Sequence, residues 1–138
     1  PIDVICADNL TDKKNIRECE INNIIPNQMI LDIGKKTVQA ISKYILKANM
    51  ILWNGPLGAF ENSPFAQSSI DVANFIKENN KLLNIPTLAG GGDTISVIKL
   101  AKAEEGFSYI STAGGAFLEW LEGKESPGVL ALKENNII

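Results

Sequence analysis

Asp93 follows three glycines and precedes a threonine, in the run Gly90-Gly91-Gly92-Asp93-Thr94. Glycine lets the backbone approach a ligand closely, and a helix that opens at such a turn aims free N–H groups outward. Gly91 and Gly92 can then present N–H groups to phosphate oxygens, with Thr94 adding a hydroxyl. Asp93 is a carboxylate suited to Mg²⁺, which prefers a few carboxylates together with phosphate oxygens. The alternative is that Asp93 only caps a helix after a tight turn. Capping alone does not call for three consecutive glycines, which weaken the fold through chain entropy.

Two further segments share this design. In Trp53–Glu61 (WNGPLGAFE), Asn54 at a strand tip can donate to a phosphate. Pro56 and Gly58 shape a turn able to pack against a sugar, and Glu61 can accept from ribose hydroxyls, as acidic residues do in other nucleotide folds. The bland alternative is an ordinary loop that carries Trp53 and Phe60 into the core, and for the two aromatics that reading is preferred. In Ser111–Ala116 (STAGGA), hydroxyls and small residues precede a helix start at Gly114 and Gly115. Such a terminus can stabilise charge on a phosphoryl group in transfer, or it can be simply a well-capped helix. Asp32, in Leu31-Asp32-Ile33-Gly34, reads as a carboxylate satisfying backbone donors near a sheet edge. Glu119, Glu122, Lys124 and Glu125 read as a solvated face. No segment matches a G-x-x-x-x-G-K-[ST] phosphate loop or a G-x-G-x-x-G dinucleotide fingerprint, so phosphate binding here needs a different architecture.

The elements that must position these residues follow from hydrophobic period. Strands are expected at Ile2–Ala7, at Ile30–Ile33, at Met50–Trp53, at Pro86–Ala89 and at Phe107–Ser111, with a short one near Glu20–Ile25. Helices are expected after Gly34, with Thr37 as cap and Val38, Ile41, Ile45 and Ala48 on one face. Others should run from Pro64 to about Asn80, over Thr94–Lys102, and from about Gly115 to Gly123 with Phe117, Leu118 and Leu121 buried. Pro127–Leu132 reads as a final extended piece. Strands alternating with helices of about ten residues imply βαβ units and a parallel sheet. The fold class is therefore α/β: a three-layer, Rossmann-like parallel sheet with helices on both faces, present as a partial domain. Ligands bind such sheets outside the carboxyl ends of the strands, where all three glycine turns fall.

The 138 residues give room for one domain with a real core. A net charge of −3 and scattered lysines offer no footprint for nucleic acid, and no apolar run approaches a membrane span. With no histidine in the chain, Ser-His and Cys-His catalysis and histidine-ligated metals are excluded. Cys6 and Cys19 are too few for a disulfide framework. Placed in different local settings, they read as free cytosolic thiols. The start at Pro1, running at once into IDVICA, reads as the middle of a longer chain.

Taken together, W-N-G-P-x-G-x-F-E at Trp53–Glu61, G-G-G-D-T at Gly90–Thr94, and S-T-x-G-G-A-x-L-E-x-x-E-G-K-x-x-P-G-V-x-A-L at Ser111–Leu132 resemble the phosphoglycerate kinase family. Leu31–Gly34 (LDIG) fits too, and the resemblance spans nearly the whole chain in the same order. It implies a protein of two α/β domains, whose carboxyl domain binds MgADP or MgATP and whose amino domain binds the phosphoglycerate. Residues 1–138 would then be the later part of the nucleotide-binding carboxyl domain, with the substrate-binding amino domain absent. By the same resemblance, Gly91, Gly92, Asp93 and Thr94 hold the nucleotide phosphates, Asp93 serves the magnesium, and Asn54 reaches the phosphates. Pro56, Gly58, Ala59 and Glu61 line the ribose side, Leu31 walls the adenine pocket, and Gly114 and Gly115 open a catalytic helix facing the transferred phosphoryl group.

The departures are Ala113 for the first glycine of the G-G-G-A turn, Lys35 for a frequent proline and Ala59 for a frequent valine. The family's G-G-x-K-x-x-x-K segment and its arginine-bearing substrate site are missing from these residues. The resemblance thus implies a cytoplasmic, monomeric parent that moves a phosphoryl group between 1,3-bisphosphoglycerate and ADP, giving 3-phosphoglycerate and ATP. For this chain alone it implies nucleotide binding at most. The alternatives are a stand-alone, non-catalytic nucleotide-binding module and a piece that completes the sheet of another chain.

Overall fold

The computed structural model describes residues 1–11 and 15–135, the side chains of Phe117 and Trp120 excepted. Two three-stranded sheets organise it. The first has the order β2-β1-β3, from β1 (Asp3–Ala7), β2 (Arg17–Glu20) and β3 (Met29–Ile33), and both pairings are antiparallel. The second has the order β4-β5-β6, from β4 (Ile51–Asn54), β5 (Thr87–Gly90) and β6 (Tyr109–Ser111), and is parallel throughout. The expected parallel sheet with helical crossovers is this second one. The first three strands stand apart from it because the segments joining them include no α-helix among the described residues, so antiparallel pairing is open to them.

Helix α1 (Lys35–Ile45) joins the two sheets, and α2 (Gln67–Leu83) and α3 (Gly92–Leu100) cross over between the parallel strands. Their apolar stripes meet over one core: Ile45 from α1, Val72, Ala73 and Ile76 from α2, and Val97 and Ile98 from α3, against Trp53 and Ala89. The rings of Trp53 and Phe107 lie 6.1 Å apart at 44°, a tilted contact within that core. A smaller cluster of Ala7, Leu31 and Phe65 binds the antiparallel sheet to the loop before α2.

Several expectations are corrected. The strand placed near Glu20–Ile25 is instead Arg17–Glu20, followed by a 3-10 turn at Ile21–Asn23. Thr37 does not cap α1. Gly34 holds the N-cap position, and the capping carboxylate comes from Asp3 on β1, which accepts from Lys36 N–H at 2.9 Å and Thr37 N–H at 2.8 Å. Pro127–Leu132 is not extended but part of helix α5 (Pro127–Glu134). Proline suits a helix's first turn, and Leu130, Ala131, Leu132 and Lys133 are strong helix formers. Helix α4 (Gly114–Leu121) forms as expected, but Leu121 stays 50% exposed instead of buried. The side chain of Phe117, expected to be buried beside it, lies outside the described residues. Cys6 and Cys19, expected in unrelated settings, face each other across β1 and β2. Among the described residues no helix is long and apolar enough to cross a membrane.

Candidate functional site

Parallel pairing aligns the strand tips. Asn54 pairs with Gly90 across β4 and β5, and Gly90 pairs with Ser111 across β5 and β6. These three residues form one row at the carboxyl edge of the sheet, and each leads into a turn. Gly91 takes φ +95°, a conformation that glycine supplies without strain, and its N–H donates to the Ser111 carbonyl at 3.2 Å. That bond swings the chain so that α3 starts directly above the strand tips. The first intrahelical bond of α3 runs from Ile95 N–H to the Gly91 carbonyl. The N–H groups of Gly92, Asp93 and Thr94 precede the ladder and form the positive end of the helix.

The start of α4 is brought against the start of α3. A side chain on Gly114 would collide with the backbone nitrogen of Gly91, and its Cβ would stand 3.0 Å from the Asn54 amide oxygen. A Cβ on Gly91 would stand 2.9 Å from the same oxygen. Asn54, Gly91 and Gly114 therefore meet at one corner, with two helix amino ends side by side. Gly92 and Gly115, the neighbouring glycines, face open space: nothing lies within 4 Å of where their Cβ atoms would be. The corner is closed beneath and open above, which suits a tetrahedral anion larger than a side chain.

Thr94 is fully buried and its hydroxyl accepts from Gly55 N–H at 2.7 Å. In this structure its side chain braces the loop after β4 against α3, a role that sequence reasoning did not assign to it. Asp93 stands exposed in the first turn of α3. Among the described residues no group of three or more His, Cys, Asp or Glu could hold a metal by itself. A single accessible carboxylate beside an anion cradle fits Mg²⁺, which commonly takes most of its ligands from phosphate and water.

From Pro56, two residues beyond Asn54, the same loop runs along a depression of 290 Å³ lined by Leu31, Pro56, Gly58 and Ala59. Leu31 is 6% exposed, and its carbonyl accepts from Ala59 N–H at 2.8 Å, so the loop after β4 is pinned to β3. Leu57 N–H donates to the Ser69 hydroxyl at 2.9 Å, tying the same loop to α2. Glu61 lies exposed at the end of this loop. The sequence-selected residues thus form two groups joined by the loop after β4, a polar corner and an apolar wall, with Glu61 further along that loop.

Asp32 is the residue whose importance the sequence understated. It is 3% exposed, and its carboxylate accepts from the Ser68 hydroxyl, from Ser68 N–H at 3.2 Å and from Ile33 N–H at 2.8 Å. Burial raises its pKa, and these hydrogen bonds only partly oppose that. A side chain on Gly58 would collide with this carboxylate and with the Phe65 carbonyl, so Asp32 and Gly58 set the floor of the apolar wall together. The expectation that Asp32 satisfies backbone donors holds. Its partners on α2, thirty-six residues away, carry no local sequence signal.

A parallel α/β sheet with paired helix amino ends over its carboxyl edge defines a class of domain suited to holding an anion. Comparison with known proteins narrows the class. The family model described as Phosphoglycerate kinase matches residues 1–124. The phosphoglycerate kinase of Chelativorans sp. (strain BNC1) is 40% identical over 134 residues, which is 97% of this chain and 34% of that protein. That of Rhizobium leguminosarum bv. trifolii is 49% identical over 113 residues, 82% of this chain and 28% of that protein. Among solved structures, phosphoglycerate kinase from Coxiella burnetii superposes with a TM-score of 0.82 at 37% identity, over 90% of this chain and 31% of that one. The Pyrococcus horikoshii enzyme gives 0.78 at 30% identity, over 96% and 32%. The chain belongs to the phosphoglycerate kinase family. It spans about a third of the length of the curated relatives it matches.

Proposed function

We propose that this chain is the later part of the nucleotide-binding carboxyl domain of a phosphoglycerate kinase and holds ADP or ATP at the carboxyl edge of its parallel sheet. The observation that carries this reading is the contact of Gly114 with Gly91 beneath the open faces of Gly92 and Gly115. It sets two helix amino ends on one anion-sized space, and the loop after β4 links that space to the apolar wall of Leu31, Gly58 and Ala59. In this reading adenine lies against Leu31, the ribose against Pro56, Gly58 and Ala59 with Glu61 accepting from its hydroxyls, and the phosphates on Gly91–Thr94 with Asn54 donating.

Mg²⁺, taken through Asp93, would neutralise and orient the phosphate oxygens. The chain's own contribution is positioning and charge: the α3 end fixes the nucleotide, and the α4 end at Gly114 and Gly115 faces the phosphoryl group in transfer. The whole reaction exchanges a phosphoryl group between 1,3-bisphosphoglycerate and ADP, giving 3-phosphoglycerate and ATP. The phosphoglycerate would be held by an amino domain outside these residues, in a monomeric cytoplasmic enzyme. Alone, the 138 residues bind nucleotide without turning it over.

Calorimetric titration with MgADP tests the reading. Saturable binding, weakened at least about tenfold by Asp93→Ala and also weakened by Glu61→Ala, is expected. Binding that is indifferent to both substitutions would overturn the placement of the nucleotide.

A further inference from the structure

The chain's two cysteines face each other. Cys6 pairs with Arg17, and Val4 pairs with Cys19, across the antiparallel ladder of β1 and β2. Cross-strand partners share a face, as do residues two apart on a strand, so Cys6 and Cys19 are diagonal neighbours on one face of the sheet. Their sulfurs stand 3.9 Å apart with both thiols free. That separation is close to van der Waals contact for two sulfurs, against about 2.05 Å in a disulfide. Two features let the sulfurs close the remainder. The register between β1 and β3 shifts at Ile5/Cys6, a local irregularity that adds twist to the strand. Strand β2 is an edge that pairs with β1 alone, and its other ties are the exposed contacts of Glu18 and Glu20 with the first turn of α1.

We propose that Cys6 and Cys19 are a reversible dithiol–disulfide pair, a redox modification site that staples edge strand β2 to β1. The two thiols are not equivalent. Cys6 is fully buried, whereas Cys19 on the edge strand is partly exposed. Burial pushes the Cys6 thiol up in pKa, and the neighbouring Cys19 adds to this, while the Arg17 charge opposes both. Cys19 is therefore the sulfur that meets an external oxidant, and Cys6 is the resolving sulfur.

The oxidant is a low-molecular-weight disulfide, with oxidised glutathione as the probe. The Cys19 thiolate attacks one glutathione sulfur, the glutathione S–S bond breaks, and one glutathione thiolate leaves. Cys6 then gives its proton to solvent and attacks Sγ of Cys19, displacing the second glutathione thiolate. Two protein thiols are oxidised to one disulfide, and one oxidised glutathione is reduced to two thiols. The bridge closes the excursion between β1 and β2. It also reaches β3 through Cys6, which pairs with Ile30, the neighbour of Leu31. Neither thiol belongs to the nucleotide corner, so this site stands or falls independently of the nucleotide reading.

The test equilibrates the protein in glutathione buffers of graded ratio, quenches with acid, counts thiols and weighs the product. Both thiols should be lost together, with a mass decrease of about 2 Da and no retained glutathione. Cys6→Ser should keep glutathione on Cys19 as a stable adduct, and Cys19→Ser should keep far less on buried Cys6. The equilibrium constant for closure should be at least about tenfold larger in native buffer than in guanidinium, because the fold holds the sulfurs together. Equal constants in the two solvents, accumulation of a Cys19–glutathione adduct in the unsubstituted protein, or cross-linked dimers would each overturn the proposal.

Discussion

Two buried aspartates with opposite tendencies show how much a single residue can carry. Asp3 is 2% exposed; burial pulls its pKa up, but hydrogen bonds from the Thr37 hydroxyl and from Lys36 and Thr37 N–H outweigh that and hold it below the ordinary value. Its ionised form therefore stabilises the fold at pH values above the ordinary carboxylate pKa, and that contribution is lost as pH falls through the lowered one. Asp3→Ala should cost about 2–3 kcal/mol at neutral pH, because it leaves the first turn of α1 without its acceptor. It should also flatten the acid limb of a plot of urea midpoint against pH. Asp32 runs the other way: its folded-state pKa is raised, so its contribution is complete below the ordinary carboxylate pKa and is lost as pH rises through the raised one. At the same scale, Gly114→Ala should destabilise by about 1–3 kcal/mol and weaken MgADP binding, since the added methyl has to displace Gly91. Gly115→Ala meets nothing within 4 Å and should leave stability nearly unchanged, so unfolding curves on the pair separate packing from open space. Asp93, Glu61 and the glycines were legible in the sequence because local runs announced them. Asp3 was not, and for Asp32 the local run showed the role on backbone donors but not the seat against α2, because the partners lie 34 and 36 residues away.

Between elements, the loop that follows β4 is the joint of the site. It is held at three points: Gly55 N–H on the Thr94 hydroxyl of α3, Leu57 N–H on the Ser69 hydroxyl of α2, and Ala59 N–H on the Leu31 carbonyl of β3. Thr94→Val keeps the side-chain volume but leaves Gly55 N–H without its acceptor. A loss of about 1–3 kcal/mol is expected in denaturant unfolding, with weaker MgADP binding because the loop and α3 no longer move as one. The three expected glycine turns and the four expected helices lie where the sequence pattern put them, to within a few residues. The extended reading of Pro127–Leu132 failed because a short apolar run flanked by proline and glycine fits strand and helix alike. The helix forms there because proline serves a first turn as readily as it breaks a strand.

At the scale of the whole molecule, the small cluster of Ala7, Leu31 and Phe65 couples the antiparallel sheet to the loop that carries Gly58 and Ala59. Phe65 is 1% exposed, and Phe65→Ala should cost about 3–5 kcal/mol. The same substitution should weaken MgADP binding through Leu31, although Phe65 does not line the depression. Thermal unfolding and calorimetry on one sample check both effects. The amino-acid sequence by itself determined the α/β class, the order of the elements as far as α4, the three glycine turns at strand ends and the family, because each is written in short-range spacing that a local reading recovers. Only the tertiary structure decided that the first three strands form a separate antiparallel sheet, that Gly114 seats against Gly91, that Thr94 braces the Gly55 turn, and that Cys6 meets Cys19. Those are pairings between residues 11 to 39 positions apart, or between two turns on different strands, and their partners are chosen by strand register and core packing rather than by neighbours along the chain.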